Sequence, residues 1–430
     1  MSLMSAALLS VARNDNYTYM TIGIDISMLV YQGSGVANYT YNLVINLLKI
    51  DKKNHYRLFY SSLRRPKDFK YLDEFRNLGA RVYEYPFPST LLRFLWGRYD
   101  LLPVELLIGK VDVFYSSDLL RPPLMAKTRG VTTVHDLTWK IFPQYHTEMV
   151  IKAHERKIAK TIKHGDIIIT DSENTKKDLI KYFPEVLRKN KIFVIYPGVD
   201  ERFRPISDQN RINEIFKKYR LDTLTHSRGV LLYVGAIEPR KNLKTAIKVF
   251  HQLINSTPEV HTEPPRLDMI NDDRTSGVNN FSDFKFLIVS KAGWKNEDVY
   301  NLVAELKLEN KIKFINNVSD DDLPYFYNGC TVFIYLSKYE GFGLPPLEAL
   351  MCNKPVLTYK NSSIQEILAK DYPAAEENQE LTRLRELINM KKIDGKNYRQ
   401  RFSWISSAEK ILKIINNAKS EANHLRGGQA

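Results

Sequence analysis

The chain has 430 residues, with 63 Lys and Arg against 49 Asp and Glu, so its formal net charge is +14. Its 43% hydrophobic and 26% charged residues are typical of folded globular proteins and exclude wholesale disorder, while the length allows two or three domains. The positive charge has four explanations: the protein binds nucleic acid, an anionic membrane or a phosphorylated ligand, or it belongs to a lysine-rich proteome.

The two cysteines, Cys330 and Cys352, are too few for a disulfide framework, and we expect a reducing, cytoplasmic location. No apolar run approaches the roughly 20 residues that a membrane span needs. Residues 1–19 contain a short apolar stretch without a basic segment before it. We expect a disordered or vector-derived tail there instead of a signal peptide.

Short strand patterns alternate with longer helical patterns through the first half of the chain. Helical spacing is clear at Val36–Lys49, Thr147–Lys163 and Glu173–Tyr182. The alternation of strand and helix predicts a parallel sheet covered by helices on both faces. The predicted strands are Thr21–Ile26, Tyr56–Tyr60, Arg81–Tyr85, Asp112–Tyr115, Val131–Val134, Asp166–Thr170 and Ile192–Ile195.

A second strand and helix series follows a hinge at Tyr196–Val199 and Arg204–Pro205. A polar stretch, residues 256–282, interrupts this series as an insertion loop, and an amphipathic helix at Phe402–Ser420 ends it. We therefore predict an α/β protein with two facing, doubly wound, Rossmann-like domains, residues 20–205 and 206–400, and a cleft at the carboxyl ends of their strands. The strands of the second series are Val230–Val234, Phe284–Val289, Ile312–Ile315, Thr331–Tyr335 and Pro355–Thr358.

Two weak motifs follow strands of the first domain. Gly33-Ser34-Gly35 joins a strand to a helix, where glycines allow close approach of an anion to the helix N-terminus, although a plain flexible turn has the same composition. His135 ends the strand Val131–Val134 and suits hydrogen bonding to a sugar or proton transfer. The alternative is a packed histidine held by its neighbour Asp136.

Arg240 and Lys241 follow the strand Val230–Val234 and are predicted to start a helix in the cleft. Cations are unfavourable at a helix N-terminus unless an anion binds them. Arginine supplies a planar fork and lysine a point charge, which together suit a diphosphate. The alternative is a pair of solvated surface charges.

The strongest motif is the segment Glu340–Glu348, after the strand Thr331–Tyr335. Two glutamates with seven residues between them bracket a Gly-Phe-Gly turn that opens a helix. The glycines allow backbone N–H groups to face a phosphate, and the carboxylates are good acceptors for sugar and ribose hydroxyls. The alternative is a purely structural capping role for both glutamates.

Asp320-Asp321-Asp322 contains an Asp-x-Asp pattern that elsewhere binds a metal and a diphosphate. Here it precedes the helical pattern Leu323–Asn328, where negative charge complements the helix dipole. We interpret it as a helix start. No other cluster has metal-ligand spacing, and we expect no metal and no cofactor.

In this order, the motifs resemble those of family-4 retaining glycosyltransferases of the GT-B fold, in the mannosyltransferase-like group with the His-Asp-Leu signature. The resemblance covers about Thr21 to Leu368 and a matching C-terminal helix, and it implies that residues 401–430 cross back toward the first domain. The matching segments are Gly33–Gly35 with Tyr39, His135–Leu137, Asp171–Glu173, Tyr196–Val199, Glu238–Asn242 and the pair Glu340 and Glu348.

The resemblance also implies residue roles and a metal-independent, front-face mechanism. Glu340 binds hydroxyls of the donor sugar, Glu348 binds the ribose, and His135 contacts the transferred hexose. Arg240 and Lys241 hold the diphosphate. Donor contacts are further implied for Gly33, Gly35, Gly341, Phe342, Gly343 and Leu344.

This chain departs from the family pattern at two places. Ala236 stands where many relatives carry a basic or hydroxyl residue, which leaves fewer phosphate ligands. Residues 369–373 replace the usual Gly-Asp-Ala stretch. The insertion 256–282 has no assigned role.

The segment Leu91–Arg98 mixes aromatic, aliphatic and basic residues at helical spacing. It suits either an interfacial helix on an anionic membrane that bears a lipid-linked acceptor, or a core helix with its arginines in water. A peripheral position at the inner membrane face is therefore one expectation.

The leading hypothesis is an enzyme, a hexosyltransferase that moves mannose from the nucleotide-sugar donor GDP-mannose to a saccharide or lipid-linked acceptor. The alternatives are glucosyl transfer from UDP-glucose or ADP-glucose, and a nucleotide-sugar epimerase or hydrolase on the same scaffold. Nucleic acid is not expected as a partner, because the basic residues are dispersed and no nucleic-acid module is present.

Overall fold

The structure is a computed structural model that describes residues 19–63, 69–117, 119–224, 227–256, 280–290, 297–390 and 393–427. The predicted tail, except its last residue, and residues 257–279 of the predicted insertion lie outside the described residues.

The strands lie within one or two residues of the positions predicted from the apolar runs. The described residues contain twelve strands: β1 Thr21–Asp25, β2 His55–Ser61, β3 Arg81–Tyr85, β4 Val113–Ser116, β5 Arg129–Val134, β6 Ile167–Thr170, β7 Ile192–Val194, β8 Val230–Val234, β9 Lys285–Val289, β10 Ile312–Ile315, β11 Val332–Tyr335 and β12 Val356–Thr358.

These strands form two sheets in which every pairing is parallel. The first has the order β3-β2-β1-β4-β5-β6-β7, and the second has the order β10-β9-β8-β11-β12. Every residue of β4, β6 and β11 is buried, as expected for strands covered on both faces. The predicted class, α/β with two doubly wound sheets, is confirmed. The proposed boundary near residue 205 falls between β7 and β8.

Helices connect the strands and cover both sheets. They are α1 Gly35–Ile50, α2 Tyr71–Asn77, α3 Ser89–Leu92, α4 Glu105–Ile108, α5 Thr138–Ile141, α6 Glu148–Lys163, α7 Glu173–Tyr182, α8 Val186–Lys189, α9 Gln209–Lys218, α10 Leu243–Asn255, α11 Glu297–Glu305, α12 Leu323–Gly329, α13 Leu344–Met351, α14 Ile364–Ile367, α15 Glu380–Ile388, α16 Lys396–Arg401 and α17 Trp404–Gly427. Shorter turns of 3-10 helix lie at Ser27–Val30, Pro143–Tyr145, Asp222–Leu224 and Pro239–Lys241, and Arg93–Arg98 is a π-helix.

The last helix, α17, packs against the first sheet although it follows the second in sequence. Trp404, Ile411 and Ile415 are buried in the core of the first sheet. The crossing is tight at Gly198, where a Cβ would lie 2.1 Å from the backbone nitrogen of Trp404. Only glycine fits there. None of the helices among the described residues is long and apolar enough to cross a membrane.

Candidate active site

The carboxyl ends of the two sheets meet at Gly341, in the loop after β11. Its carbonyl oxygen accepts hydrogen bonds from Ser172 Oγ at 2.7 Å and from Thr175 Oγ1 at 3.2 Å, both from the first sheet's side. A Cβ on Gly341 would lie 2.3 Å from the carbonyl oxygen of His135. The histidine and glycine motifs, 200 residues apart in sequence, are therefore in contact.

Glu340 is the centre of a buried charge cluster. Its Oε1 atom lies 2.8 Å from Lys241 Nζ, 2.9 Å from Arg240 Nη1 and 2.9 Å from the Tyr335 hydroxyl. Burial alone raises the pKa of Glu340, but the two cations outweigh it and lower the pKa to about 2. Glu340 is therefore ionised throughout the neutral pH range.

Arg240 and Lys241 occupy a 3-10 turn that precedes helix α10, so the prediction that they start the helix is wrong. Asn242 adopts a left-handed conformation with φ of 55° and separates the turn from the helix. Burial lowers the pKa of Lys241. Burial also disfavours the charged form of Arg240, but Glu340 outweighs this and raises its pKa. The cluster thus holds two buried cations against one buried carboxylate, and Arg240 also lies 3.3 Å from the half-exposed Glu238.

The turn Gly341–Leu344 offers few backbone donors to a phosphate. Gly343 has φ of 106°, a left-handed conformation that favours glycine. Helix α13 begins at Leu344, and its next two residues are prolines without N–H groups. The Phe342 side chain is buried and packs 5.9 Å from the Tyr196 ring and 5.7 Å from the Phe402 ring, so only the backbone of this residue is left for a ligand.

Glu348 is buried on α13, the helix that the Gly-Phe-Gly turn opens. The Tyr327 hydroxyl donates to its Oε2 at 2.6 Å. Burial raises the pKa of Glu348 to about 7, more than the hydrogen bond from Tyr327 lowers it. The two glutamates of the motif therefore differ in charge state, since Glu340 is ionised at neutral pH and Glu348 titrates near neutrality.

His135 is held by Asp171, and not by its neighbour Asp136 as the alternative interpretation had it. Its Nδ1 lies 2.6 Å from Asp171 Oδ2, and its Nε2 lies 2.8 Å from the Ser117 carbonyl oxygen. The carbonyl only accepts, so Nε2 carries a proton, and a further proton is shared between Nδ1 and Asp171. Burial lowers the pKa of His135, but Asp171 outweighs this and raises it. Asp136 instead caps the turn at Thr138, accepting its N–H at 2.8 Å.

The glycine loop leads into helix α1, which contacts this histidine through Tyr39. Gly33 has φ of 70°, and the Ser34 hydroxyl caps helix α1 by accepting the N–H of Ala37 at 3.2 Å. A Cβ on Gly35 would meet no heavy atom within 4 Å, so open space adjoins the helix start. Further along α1, the Tyr39 ring packs edge-on against the His135 ring at 4.7 Å.

The sequence interpretation assigned no role to Asp171, Ser117, Tyr335 or Tyr327. Asp171 directly follows β6, as His135 directly follows β5, and the register pairs Val134 with Thr170. A carboxylate at this strand end was therefore the signal available in the sequence. The two tyrosines lie within apolar runs and carry no such signal.

The Asp-x-Asp pattern begins a helix, as predicted. Asp322 is the N-cap residue of α12, and its Oδ2 accepts from Lys218 Nζ at 2.6 Å and from the Tyr219 hydroxyl at 2.7 Å. Among the residues that the structure describes, no group of three or more His, Cys, Asp or Glu is arranged to hold a metal ion.

Two family models match the chain in succession. Residues 33–203 match Glycosyltransferase Family 4, and residues 215–403 match Glycosyl transferases group 1. The first match covers strands β2 to β7, and the second covers strands β8 to β12.

Curated relatives and solved structures agree with these matches. O-antigen chain mannosyltransferase B of Escherichia coli is 27% identical over 56% of this chain and 55% of its own length. O-antigen chain mannosyltransferase RfbU of Salmonella typhimurium is 24% identical over 76% of this chain and 84% of its own length. HepE of Anabaena, solved in complex with UDP and glucose, is 16% identical with a TM-score of 0.63, over 93% of this chain and all of its own.

The chain spans about half, or less, of the length of the first E. coli mannosyltransferases that it matches. The likeness to HepE concerns the fold. Together with the contact between the His-Asp-Leu, Glu340 and Gly341 motifs, the successive family matches identify the chain: it belongs to the family-4 glycosyltransferases of the GT-B fold.

Proposed function

We propose that the protein is a retaining hexosyltransferase that moves mannose from GDP-mannose to a saccharide or lipid-linked glycan, without a metal. The observation that carries the proposal is the buried cluster in which Arg240 and Lys241 converge on Glu340 where the two sheets meet. The mannosyltransferase relatives support mannose as the sugar.

Charge develops on the diphosphate as the glycosidic bond breaks, and we assign its stabilisation to Arg240 and Lys241. Preorganised cations in a buried site are effective there because they need no reorganisation during the reaction. Glu340 holds both cations through Oε1. We assign its Oε2 atom, which takes none of these contacts, to hydroxyls of the donor sugar.

The remaining contacts of the donor are assigned by position. The N–H groups of Gly343 and Leu344 face the phosphates, Glu348 accepts from the ribose, and the loop Gly33–Gly35 approaches the donor or acceptor from the first domain. We assign His135 to contact the hexose. Because His135 and Asp171 share a proton, the pair carries no net charge. In the proposed front-face step, the leaving phosphate takes the proton of the acceptor hydroxyl.

A thermal-shift series with nucleotide diphosphates and their sugars tests the proposal. A ligand at 100 times its Kd stabilises the folded protein by about 2.7 kcal/mol, so GDP and GDP-mannose are expected to raise Tm clearly above the other nucleotides. Absence of a shift with every nucleotide contradicts the proposal.

Glucosyl transfer from UDP-glucose or ADP-glucose is the second candidate function. The likeness in fold to HepE, solved with UDP and glucose, favours it. The same residues hold the diphosphate in both cases, so the nucleotide that shifts Tm most discriminates between them. If the donor releases its sugar in the absence of an acceptor as fast as the sugar is transferred in its presence, the protein is a hydrolase on the same scaffold.

Donor binding is expected to depend on pH through Glu348. Its pKa of about 7 means that the carboxylate, the better acceptor for ribose hydroxyls, forms only as pH rises through that value. Affinity for the donor is expected to increase about fivefold between about pH 6 and about pH 8, since charged hydrogen bonds are stronger by about 1.4 kcal/mol and the carboxyl is only partly titrated at either end of this range.

Calorimetric titration with the nucleotide-sugar measures this increase. The intact nucleotide-sugar is preferable to a nucleotide diphosphate, whose terminal phosphate itself titrates near pH 6. Glu348→Gln is expected to remove the pH dependence. A slope that persists unchanged in this variant assigns the titration to another group.

The acceptor is proposed to bind the first domain from the membrane side, with the protein at the cytoplasmic face as a peripheral enzyme. The segment predicted as an interfacial helix divides into α3 and the π-helix Arg93–Arg98. Trp96 is buried, whereas Leu91, Phe94 and Tyr99 are 38%, 52% and 49% exposed. The exposed rings and the arginines support this position.

A further inference from the structure

A cavity of about 190 Å³ lies on the first domain, between the π-helix and α6. Among the lining residues that the structure describes, half are Arg or Lys, none is Asp or Glu, and the rest are apolar or glycine. The lining consists of Arg93, Phe94, Gly97, Arg98, Leu119, Leu120, Arg121, Met149, Ala153, Arg156, Lys157 and Lys160.

The inner wall of this cavity adjoins the candidate active site. The lining loop Leu119–Arg121 follows Ser117, whose carbonyl oxygen contacts His135 Nε2 at 2.8 Å. Lys157 Nζ donates at 2.7 Å to the carbonyl oxygen of Thr133, two residues before His135. The cavity therefore opens beside the strand ends that carry the histidine, but on the face of the sheet covered by α6.

The cations of the cavity differ in whether a carboxylate pairs with them. Arg121 forms two hydrogen bonds to Asp166, at 2.8 and 2.9 Å, and is neutralised in the core. Lys160 pairs with Asp100 at 2.8 Å. Arg93, Arg98 and Arg156, in contrast, form no ion pair with any carboxylate that the structure describes. Like charges collected around one apolar cavity repel each other, and an anion in it relieves that repulsion.

The rim of the cavity is apolar and exposed. Phe94 is 52% and Met149 is 55% exposed, on opposite walls. A free sugar phosphate leaves these side chains in water, whereas a hydrocarbon chain covers them and gains about 25 cal/mol per Å² of apolar surface buried. The volume of about 190 Å³ is more than enough for a phosphate group.

We propose that this cavity binds the phosphate of a lipid-linked acceptor, with the first part of its hydrocarbon chain on Phe94 and Met149. The inference rests on the proposed transferase function, because the cavity adjoins the site where that acceptor would be glycosylated. Arg93 and Arg156, one from each wall, hold the phosphate, and the glycan end of the acceptor extends toward His135.

Calorimetric titration with dodecyl phosphate, below its critical micelle concentration, tests the proposal on the full-length protein. Arg93→Gln and Arg156→Gln are each expected to weaken binding of dodecyl phosphate about tenfold, because each variant loses one charge-assisted hydrogen bond to the phosphate. Lys152→Gln is the matched control, because Lys152 lies on the same helix α6, pairs with Glu148 on the surface and does not line the cavity. Its affinity is expected to equal that of the wild type.

Two results overturn the proposal. Equal affinities in the arginine variants and the wild type show that the cavity does not hold the phosphate. Binding of glucose 1-phosphate as tight as that of dodecyl phosphate shows that the ligand is a free sugar phosphate without a lipid.

The nucleotide series separates this inference from the proposed function. The wild-type protein could bind dodecyl phosphate through the arginines while no nucleotide raises its Tm. That result contradicts the transferase function but supports the cavity site. A protein that shifts with GDP-mannose but does not bind dodecyl phosphate contradicts the cavity site alone.

Discussion

Gly341→Ala is expected to reduce transfer by about 10²-fold or more while both domains remain folded. The new Cβ would lie 2.3 Å from the His135 carbonyl oxygen and 2.7 Å from Asp136 Cβ, and the first of these is backbone that cannot rotate away. The two sheets must therefore separate at the site. A misplacement of about 1 Å between reacting groups commonly costs this much in rate.

Steady-state kinetics and thermal unfolding of the same variant distinguish this effect from misfolding. Gly35→Ala is a matched comparison, since the same methyl group there meets no atom within 4 Å. Its loss of activity is expected to be much smaller. Equal losses in the two variants contradict the steric explanation, and so does a Gly341→Ala protein with wild-type kinetics.

Glu340→Gln is expected to lower both activity and stability. Without the carboxylate, Arg240 and Lys241 keep their buried charges with no counter-charge at Oε1, which costs about 3–5 kcal/mol when one partner of a buried pair is removed. The rate of transfer is expected to fall by about 10²–10³, the usual loss when a preorganised electrostatic contact is removed.

The pH dependence of stability identifies the source of this loss. The pKa of Glu340 falls from 4.5 to about 2 on folding, so its contribution is fully present above pH 4.5 and is lost as pH falls toward 2. Urea unfolding of the wild type and the variant is expected to differ by a constant amount above pH 4.5 and to converge below it.

Glu238→Gln provides the control for the charge change. Glu238 lies 3.3 Å from the same arginine, but its side chain is 48% exposed, and removal of its charge is expected to cost less than about 1 kcal/mol. If this variant loses as much stability as Glu340→Gln, burial of the cluster does not explain the effect. A nucleotide diphosphate is expected to restore part of the stability of Glu340→Gln, because it supplies the missing negative charge.

The strands were predictable because parallel strands covered on both faces need continuous apolar runs, as in Ile167–Thr170. The rule that ligands bind at the carboxyl ends of such strands also led to His135, Lys241 and Gly341, which do lie near the junction of the sheets. The roles of these residues in binding and catalysis stay predictions until they are measured.

The errors have a common physical origin in contacts between distant segments. The partner of His135 is Asp171 because the register of β5 and β6 makes residues 135 and 171 neighbours, and no local pattern distinguishes this from the adjacent Asp136. The π-helix at Arg93–Arg98 likewise has no signature in its apolar spacing. The 3-10 turn before α10 depends on the left-handed conformation of Asn242. Asparagine tolerates this conformation but does not require it, so the sequence does not predict the turn.

The position of α17 has a consequence for how the chain acquires its structure during synthesis. Trp404, Ile411 and Ile415 complete the core of the sheet that is translated first. Until these residues leave the ribosome, that sheet exposes the apolar surface that they will cover, while the sheet translated later already has its own core. The domain that begins folding first therefore completes its core only after the second domain has been synthesised.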